Sequence, residues 1–474
     1  MAIAPPIATA EADGAPHGDR PPAGAAGGGS RAGLPPGPRA PAFLQTLAWA
    51  LAPTFVMDNC ARRIGDAFTL TFTPSGMKMV LISDPDAVKA LFTAPPGVAP
   101  SATGNSPIRP IMGERSVLVL TGAEHMRQRK LLLPPFHGER MREYEQTIVD
   151  ATRADIASWP FGEPMRLHER TRAITLEVIL SAVFGVEAER MDSLRDAIAG
   201  LLAPINSLWT VWTTLRRMSL ERPAGPIGDA LDRLDAVIFA ELARRRAQDD
   251  LSERADILSL LLQARDEDGQ PMTDAELRDE LVTLLLAGHE TTATSVAWAI
   301  ERLARHPQKL ARLVAEIDAG EQAGERYMTA VVNETLRVRP VVPLVARTLT
   351  QELELGRLRL PGGTRVMPSI YLTNRNPRVY ERPAEFMPER FLENAPETFA
   401  WIPFGGGIRR CIGASFAQLE MKTMLRTMLS EYEPSVPSAS GWRGRRWRDG
   451  EWIRRRAITL VPAAGARVVW NRRA

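Results

Sequence analysis

The sequence predicts a mainly α-helical protein with small β-sheets. Two contrasting patterns carry this. Helix-forming segments dominate through residue 265, and a long apolar helix follows from Asp274 to about Arg305. Strand patterns are short: Ala67–Thr73 and Lys78–Ser83, joined by the turn Pro74-Ser75-Gly76. The 474 residues are 45% hydrophobic, enough for a large core, and length alone suggests about three domains.

Residues 1–33 are rich in Ala, Pro and Gly, which cannot build a core, so a disordered tail is expected. They show no charged stretch leading into an apolar one, as a signal peptide would. The most apolar early run, Ala42 to Met57, contains Gln45 and Pro53 and is too short to span a bilayer. A helix is expected from about Pro53 to Ile64, then the two strands, then a helix opened by Pro85. Residues 94–118 read as a loop punctuated by Pro and Gly. A basic helix begins at Gly122, and its His125 and Arg129, four apart, share a face. Leu201–Pro226 is apolar, carries Trp209 and Trp212, and is broken by Pro204, Pro223 and Pro226.

The long helix is capped by Asp274-Ala275-Glu276-Leu277. Its segment Leu281–Leu286 is apolar nearly all round, so the helix is buried. Within it lies Ala287-Gly288-His289-Glu290-Thr291-Thr292. Polar groups inside a buried helix need partners. A threonine hydroxyl can replace a backbone partner and open a local bulge, with small residues leaving room beside it for a diatomic ligand. A satisfied polar patch between helices is the alternative.

One of only two cysteines lies in Phe404-Gly405-Gly406-Gly407-Ile408-Arg409-Arg410-Cys411-Ile412-Gly413. A good helix former follows, so Cys411 is expected at or just before a helix N-terminus, where a thiolate is favoured. The glycines allow the backbone close to a flat, bulky group. A thiolate facing a planar partner is what a haem iron takes as an axial ligand. The plainer alternative is a small buried hydrophobe.

The pattern Phe-x-x-Gly-x-Arg-x-Cys-x-Gly resembles the haem-binding loop of the cytochrome P450 monooxygenases. The resemblance covers residues 34–474 and implies one large catalytic domain, with haem b between a long distal helix and a proximal cysteine loop. Cys411 is then the metal ligand, and Phe404, Gly405, Arg409 and Gly413 belong to the cofactor loop. The resemblance places His125, Arg129, Arg347 and Arg409 on the haem propionates. Ala287-Gly288-x-Glu290-Thr291 matches the family's acid–alcohol pattern, which gives Glu290 and Thr291 catalytic roles in proton delivery. Glu334-Thr335-Leu336-Arg337 and Pro388-Glu389-Arg390-Phe391 match a buried structural cluster of Glu334, Arg337 and Arg390. Ile108, Leu286, Ala287, Val342 and Leu344 are expected in the substrate pocket, and residues 201–226 in a lid. His289 matches no family position and reads as structural.

The resemblance implies insertion of one atom of O2 into a small apolar substrate: a terpenoid, a fatty acid or a similar lipid. A fused reductase would not fit after Cys411, so electrons from NAD(P)H are expected through a ferredoxin and its reductase. Arg127, Arg129, Lys130 and Arg410 offer a docking face for such an acidic carrier. A peroxide-driven enzyme and a haem sensor are the rival readings. Net charge is +3 and the isoelectric point about 9.0, which decides nothing about nucleic acid. Trp442 to Arg456 holds seven arginines interleaved with Trp442, Trp447 and Trp452. No nucleic-acid module accompanies them, so an exposed hairpin with Arg–Trp stacking is expected. Two cysteines imply no disulfide framework, consistent with a cytoplasmic monomer of soluble bacterial type.

Overall fold

The helix Asp274–Ala304 is the axis of the fold. Thr273 caps it, one residue before the expected position. Its hydroxyl accepts the Glu276 N–H at 3.3 Å while the Glu276 carboxylate accepts the Thr273 N–H at 2.7 Å, a reciprocal capping box. Leu277, Leu281, Val282 and Leu285 are buried at one end, and Val296 through Leu303 at the other. These residues seat the helix in the main hydrophobic core. In this computed structural model the described residues are 33–473 except 103–108, 137, 139, 186–187, 206–222, 224, 249–250, 321–323, 394–395 and 438–449. Residues 32–474 form one compact unit.

Helix Leu167–Phe184 packs along the long helix through a seam of threonines. Thr171 and Thr175 donate to the carbonyls of Ala293 and His289 at 2.9 and 3.0 Å. Nε2 of His168 lies 3.0 Å from the Thr294 hydroxyl. Buried hydroxyls are thereby satisfied without breaking either helix.

The strands form as expected and set up the second half of the molecule. Ala67–Phe72 pairs antiparallel with Met77–Ile82, which pairs parallel with Arg365–Pro368, and Arg347–Thr348 completes the sheet. Alternation along Met77–Ile82 splits the packing. Val80 and Ile82 join a cluster with helix Pro85–Thr93, while Met79 and Leu81 join one with Val56, Met57 and Phe68. Ile453–Arg456 pairs with Thr459–Pro462 in a hairpin whose second strand is buried; only its first strand falls in the Trp442–Arg456 segment expected to form an exposed hairpin. Trp442 and Trp447 lie outside the described residues, as do Ile108, Trp209 and Trp212 and most of the expected lid.

Behind the cysteine loop, Glu334 and Arg337 are fully buried and joined by two bonds, at 2.7 and 2.8 Å. Arg337 also donates to the carbonyls of Asn374, Pro383 and Glu385. Glu334 further accepts from the Met387 N–H and from Arg390, at 2.7 and 3.2 Å. The cluster is therefore closed, with every charge answered, as the sequence pattern implied. Glu334→Ala is expected to strand the Arg337 guanidinium and lower stability by about 3–5 kcal/mol in denaturant unfolding.

Burial lowers the His168 pKa to about 3, assisted by Arg172, Arg456, His289 and Arg454. Unfolding returns this imidazole to an ordinary value near 6.5, so the unfolded chain binds the extra proton. The stability in question is whole above about pH 6.5 and declines as pH falls toward 3. His168→Gln, which keeps a donor for Thr294, is expected to flatten the acid limb of stability against pH.

Candidate active site

The cysteine loop is shaped mainly by its own packing. Cys411 N–H donates to the Phe404 carbonyl at 2.9 Å, closing the loop. Gly405 and Gly407 have φ of 69° and 65°, the left-handed region. A Cβ at Gly406 would lie 2.5 Å from the Phe92 ring, and one at Gly407 would lie 2.2 Å from the Phe92 carbonyl oxygen. These glycines therefore let the loop turn and close on helix Pro85–Thr93. The expected reason, room for a flat partner, applies to neither Gly406 nor Gly407. Gly413 differs, since a Cβ there would meet nothing within 4 Å.

Cys411 sits two residues before Gly413, the cap of helix Ala414–Glu431. The Gly413 N–H donates to its sulfur, and Arg410 and Arg129 add positive charge. Burial nevertheless outweighs these and pushes the thiol up. The helix end alone does not yield the thiolate expected from the sequence, because desolvation of the anion is the larger effect. The side chain is accessible all the same, so it faces an enclosed space.

Three guanidinium groups converge near this loop. His125 is buried, its Nδ1 has no hydrogen-bond partner, and its pKa falls to about 4 through burial and the charges of Arg409, Arg129 and Arg347. Arg347 donates to the Ala346 carbonyl at 2.9 Å, and Arg409 donates to the carbonyls of Val117 and Leu120. Burial brings both arginines down to about 10. Among the described residues none of the three meets a carboxylate. Arg347 and Arg409 line one pocket with Leu91, Phe92, Pro100 and Ile408.

Beyond its exposed first turn, the long helix opens most in its middle. Between its two buried ends Ala287 is exposed, and Leu286, Gly288, Glu290 and Thr291 are half-buried. The Thr291 hydroxyl donates to the Ala287 carbonyl at 2.7 Å, and the helix continues unbroken. The expected bulge is absent because the hydroxyl adds to the helical ladder rather than replacing a rung. Gly288 faces helix Leu167–Phe184, where a Cβ would come 3.1 Å from Ile179. Its small size serves helix packing, and Ala287 alone leaves room at the open stretch.

Glu290 points elsewhere. Arg172 donates to it at 2.7 Å, and Arg456 lies 3.5 Å from its other oxygen. Successive helical residues diverge by roughly 100°, so acid and alcohol face different neighbours. Glu290 is thus reached from the hairpin side, and Thr291 has its own bond to Ala287.

The cytochrome P450 family profile matches residues 35–443. The chain belongs to the cytochrome P450 family. Cytochrome P450 137 of Mycobacterium tuberculosis is 41% identical over 92% of this chain and 91% of its own length. Cytochrome P450 135B1 of Mycobacterium bovis is 38% identical over 93% and 92%. A cyanobacterial CYP120A1 structure with bound retinoic acid superposes with a TM-score of 0.80 at 23% identity, covering 94% of this chain and all of that one. The haem domain of cytochrome P450DA gives 0.78 at 22% identity, covering 94% and 98%. The protein is accordingly a P450 monooxygenase with the mainly helical P450 fold, and haem and O2 are the cofactors of its family.

The residues fit a haem. An orphaned buried imidazole nitrogen and three guanidiniums without a carboxylate suit an acidic edge. An accessible sulfur held by a helix-end N–H suits a metal.

Other expectations need correction. Arg127 is bound by Asp266 and Glu276 at 2.6 Å each, and Lys130 by Glu267 at 2.6 Å. Arg129 turns inward to the cationic cluster. The basic helix therefore presents less free positive charge than its composition suggested: Lys130 is exposed but ion-paired, and Arg410 is exposed beside Cys411. The pocket expectation for Leu286, Val342 and Leu344 stays a proposal: all three are half-buried, Leu286 beside the main core and Val342 and Leu344 beside two other clusters. No helix among the described residues is long and apolar enough to cross a membrane.

Three residues were missed. Arg172 and Arg456 hold Glu290, and nothing local in the sequence pairs them with it. Glu420 is fully buried on the cysteine helix and bonds to Thr292, one residue past Thr291, and burial raises it to about 8. Its place inside an apolar helical run was the available signal.

Cys411→Ser is expected to abolish the thiolate-type spectrum of the reduced carbon monoxide complex, because the hydroxyl does not supply an anionic sulfur. A spectrum unchanged from the parent would assign the metal ligand to another residue.

Proposed function

We propose that this P450 inserts one oxygen atom from O2 into a small apolar substrate, a terpenoid, fatty acid or similar lipid. Electrons come from NAD(P)H through a separate ferredoxin and its reductase, and the enzyme works as a cytoplasmic monomer built from residues 34–474. The open middle of the long helix carries the reading. Thr291 is polar and half-buried there, one turn after the exposed Ala287, to whose carbonyl it bonds. A hydroxyl among apolar groups serves proton handling next to a hydrocarbon substrate.

Cys411 is the iron ligand in this reading, and His125, Arg129, Arg347 and Arg409 hold the haem carboxylates. The bound haem supplies the activation of O2 that no side chain can provide, its thiolate ligand favouring O–O cleavage. The charges of Arg347, Arg409 and Arg129 face the carboxylates in place of water. Thr291 holds a water at the open stretch and sets when a proton arrives. Glu290, tethered by Arg172 and near Arg456, takes protons from the hairpin side and passes them on after leaving its arginine. The fold accommodates retinoic acid in the cyanobacterial protein, in keeping with a lipid-sized apolar substrate.

Turnover with a reconstituted ferredoxin chain tests this, using a terpenoid or fatty acid chosen by its spectral shift. Thr291→Ala is expected to leave substrate affinity nearly intact while more NAD(P)H ends as hydrogen peroxide. Glu290→Gln is expected to slow turnover, since it keeps shape but removes the ionisable carrier. Unchanged coupling in the first together with unchanged rate in the second excludes the pair from the reaction. Full turnover on peroxide alone, with none through the redox chain, would establish the peroxide-driven alternative.

A further inference from the structure

The N-terminal helix is inside-out. Ala42–Leu51 contains one strongly polar side chain, Gln45, and that is the one buried. Its amide donates to the Ala40 carbonyl at 2.8 Å and accepts the Thr71 N–H at 2.9 Å, pinning the helix to the first strand. Ala48 and Trp49 pack beneath it, Trp49 edge-on to Phe72 with ring centroids 5.9 Å apart. The large aliphatic and aromatic groups go the other way. Phe43 is 60% exposed, Leu47 54%, Leu51 75% and Phe55, at the start of the next helix, 63%. Residues 43, 47 and 51 recur every four positions, so they form one face.

A soluble helix normally buries such a face. Here a glutamine has taken the inward position, with both ends of its amide satisfied. The outward apolar face is therefore a stable feature of the fold, not a packing fault. It is also rimmed by cations. Arg39, Arg62 and Arg63 are exposed, and none meets a carboxylate among the described residues. Arg62 lies seven residues after Phe55 on helix Pro53–Arg63, on the same side of that helix. The nearby acids are engaged: Asp58 accepts from the Tyr371 hydroxyl at 2.9 Å, and Asp66 is paired with Arg378.

We propose that this face docks the protein on an anionic lipid surface, with Phe43, Leu47, Leu51 and Phe55 entering the acyl boundary and Arg39, Arg62 and Arg63 meeting the headgroups. An apolar ridge with a basic margin is complementary to such a surface on both counts. A protein partner would need a matching groove and acidic rim, whereas a bilayer supplies both without shape. The helix is too short to span, so the attachment is peripheral.

The test uses the full-length, haem-loaded protein in co-sedimentation with vesicles of equal parts phosphatidylcholine and phosphatidylglycerol. Binding is expected, and binding to pure phosphatidylcholine should be much weaker. The double variant Leu47→Glu, Leu51→Glu should lose about tenfold or more in partitioning while keeping its carbon monoxide spectrum, which reports the fold. Arg62→Ala with Arg63→Ala should lose about fivefold per arginine at low salt, and little at high salt. The proposal fails if the parent does not bind, or if the Glu variant binds as well as the parent. It fails also if the parent forms a dimer that the Glu variant abolishes while neither touches vesicles, since a second copy then covers the face. Binding gained only after deletion of residues 1–32 would overturn it too, because the chain's own N-terminal segment would be the occupant.

Discussion

Burying a guanidinium removes the water that stabilised its charge, and the loss is large unless an acceptor replaces that water. Arg129, Arg347 and Arg409 are gathered round His125; among the described residues none of the three meets a carboxylate, Arg347 and Arg409 donate to backbone carbonyls, and Arg129 lies near the Cys411 sulfur. The strain shows in the groups themselves: His125 is held near 4, and two arginines are drawn down to about 10. Four elements of the fold meet there, namely the basic helix, the short strand Arg347–Thr348, the cysteine loop and the segment near Leu120. Each delivers a cation or a carbonyl, and among the described residues none delivers a carboxylate. A ligand bearing negative charge would relieve that arrangement, which is why these residues fit the acidic edge of a haem.

The Glu334–Arg337 cluster gives the contrast that makes this argument selective. It too is fully buried and charged. Its guanidinium, however, has a carboxylate and three carbonyls, and its carboxylate has two guanidiniums and a backbone N–H. One cluster is complete within the protein and the other is not. Burial and charge alone would have treated them alike. The count of acceptors separates a scaffold from a binding site.

Much of this was legible in the sequence because local chemistry dictates it. The Gly-x-Arg-x-Cys-x-Gly spacing places a sulfur before a helix whatever the tertiary context, and the capping residues and Pro85 mark helix starts. The alternating strand 77–82 carries its own face assignment. What was illegible depends on long-range pairing. Composition made Arg127 and Lys130 look like a free basic face, yet Asp266, Glu267 and Glu276, more than a hundred residues later, consume them. Gly288 looked like ligand space until Ile179 was found against it. The loop glycines were read as making room for a cofactor, when at Gly406 and Gly407 it is Phe92 that takes the room. In each case the residue type was right for a tight approach, and only the fold says what approaches.

The open stretch of the long helix shows how little of a functional site needs to be unusual. Thr291 makes the ordinary bond of a helical threonine to the carbonyl four residues back. Glu290 makes an ordinary ion pair with Arg172. The exceptional fact is that burial, continuous on both sides, lapses between Leu286 and Thr291. The Thr291 hydroxyl gives its one proton to the Ala287 carbonyl, so in the proposed role its oxygen is left to accept from a water. In the proposed reading, a glutamate turned one helical step aside toward Arg172 and Arg456 does not crowd the apolar stretch. In the proposed mechanism, the one helical step between acid and alcohol turns the charge of Glu290 toward Arg172 and away from Thr291. The same step would be unfavourable if both residues faced the open stretch, since an unpaired carboxylate there would need water that an apolar substrate must displace.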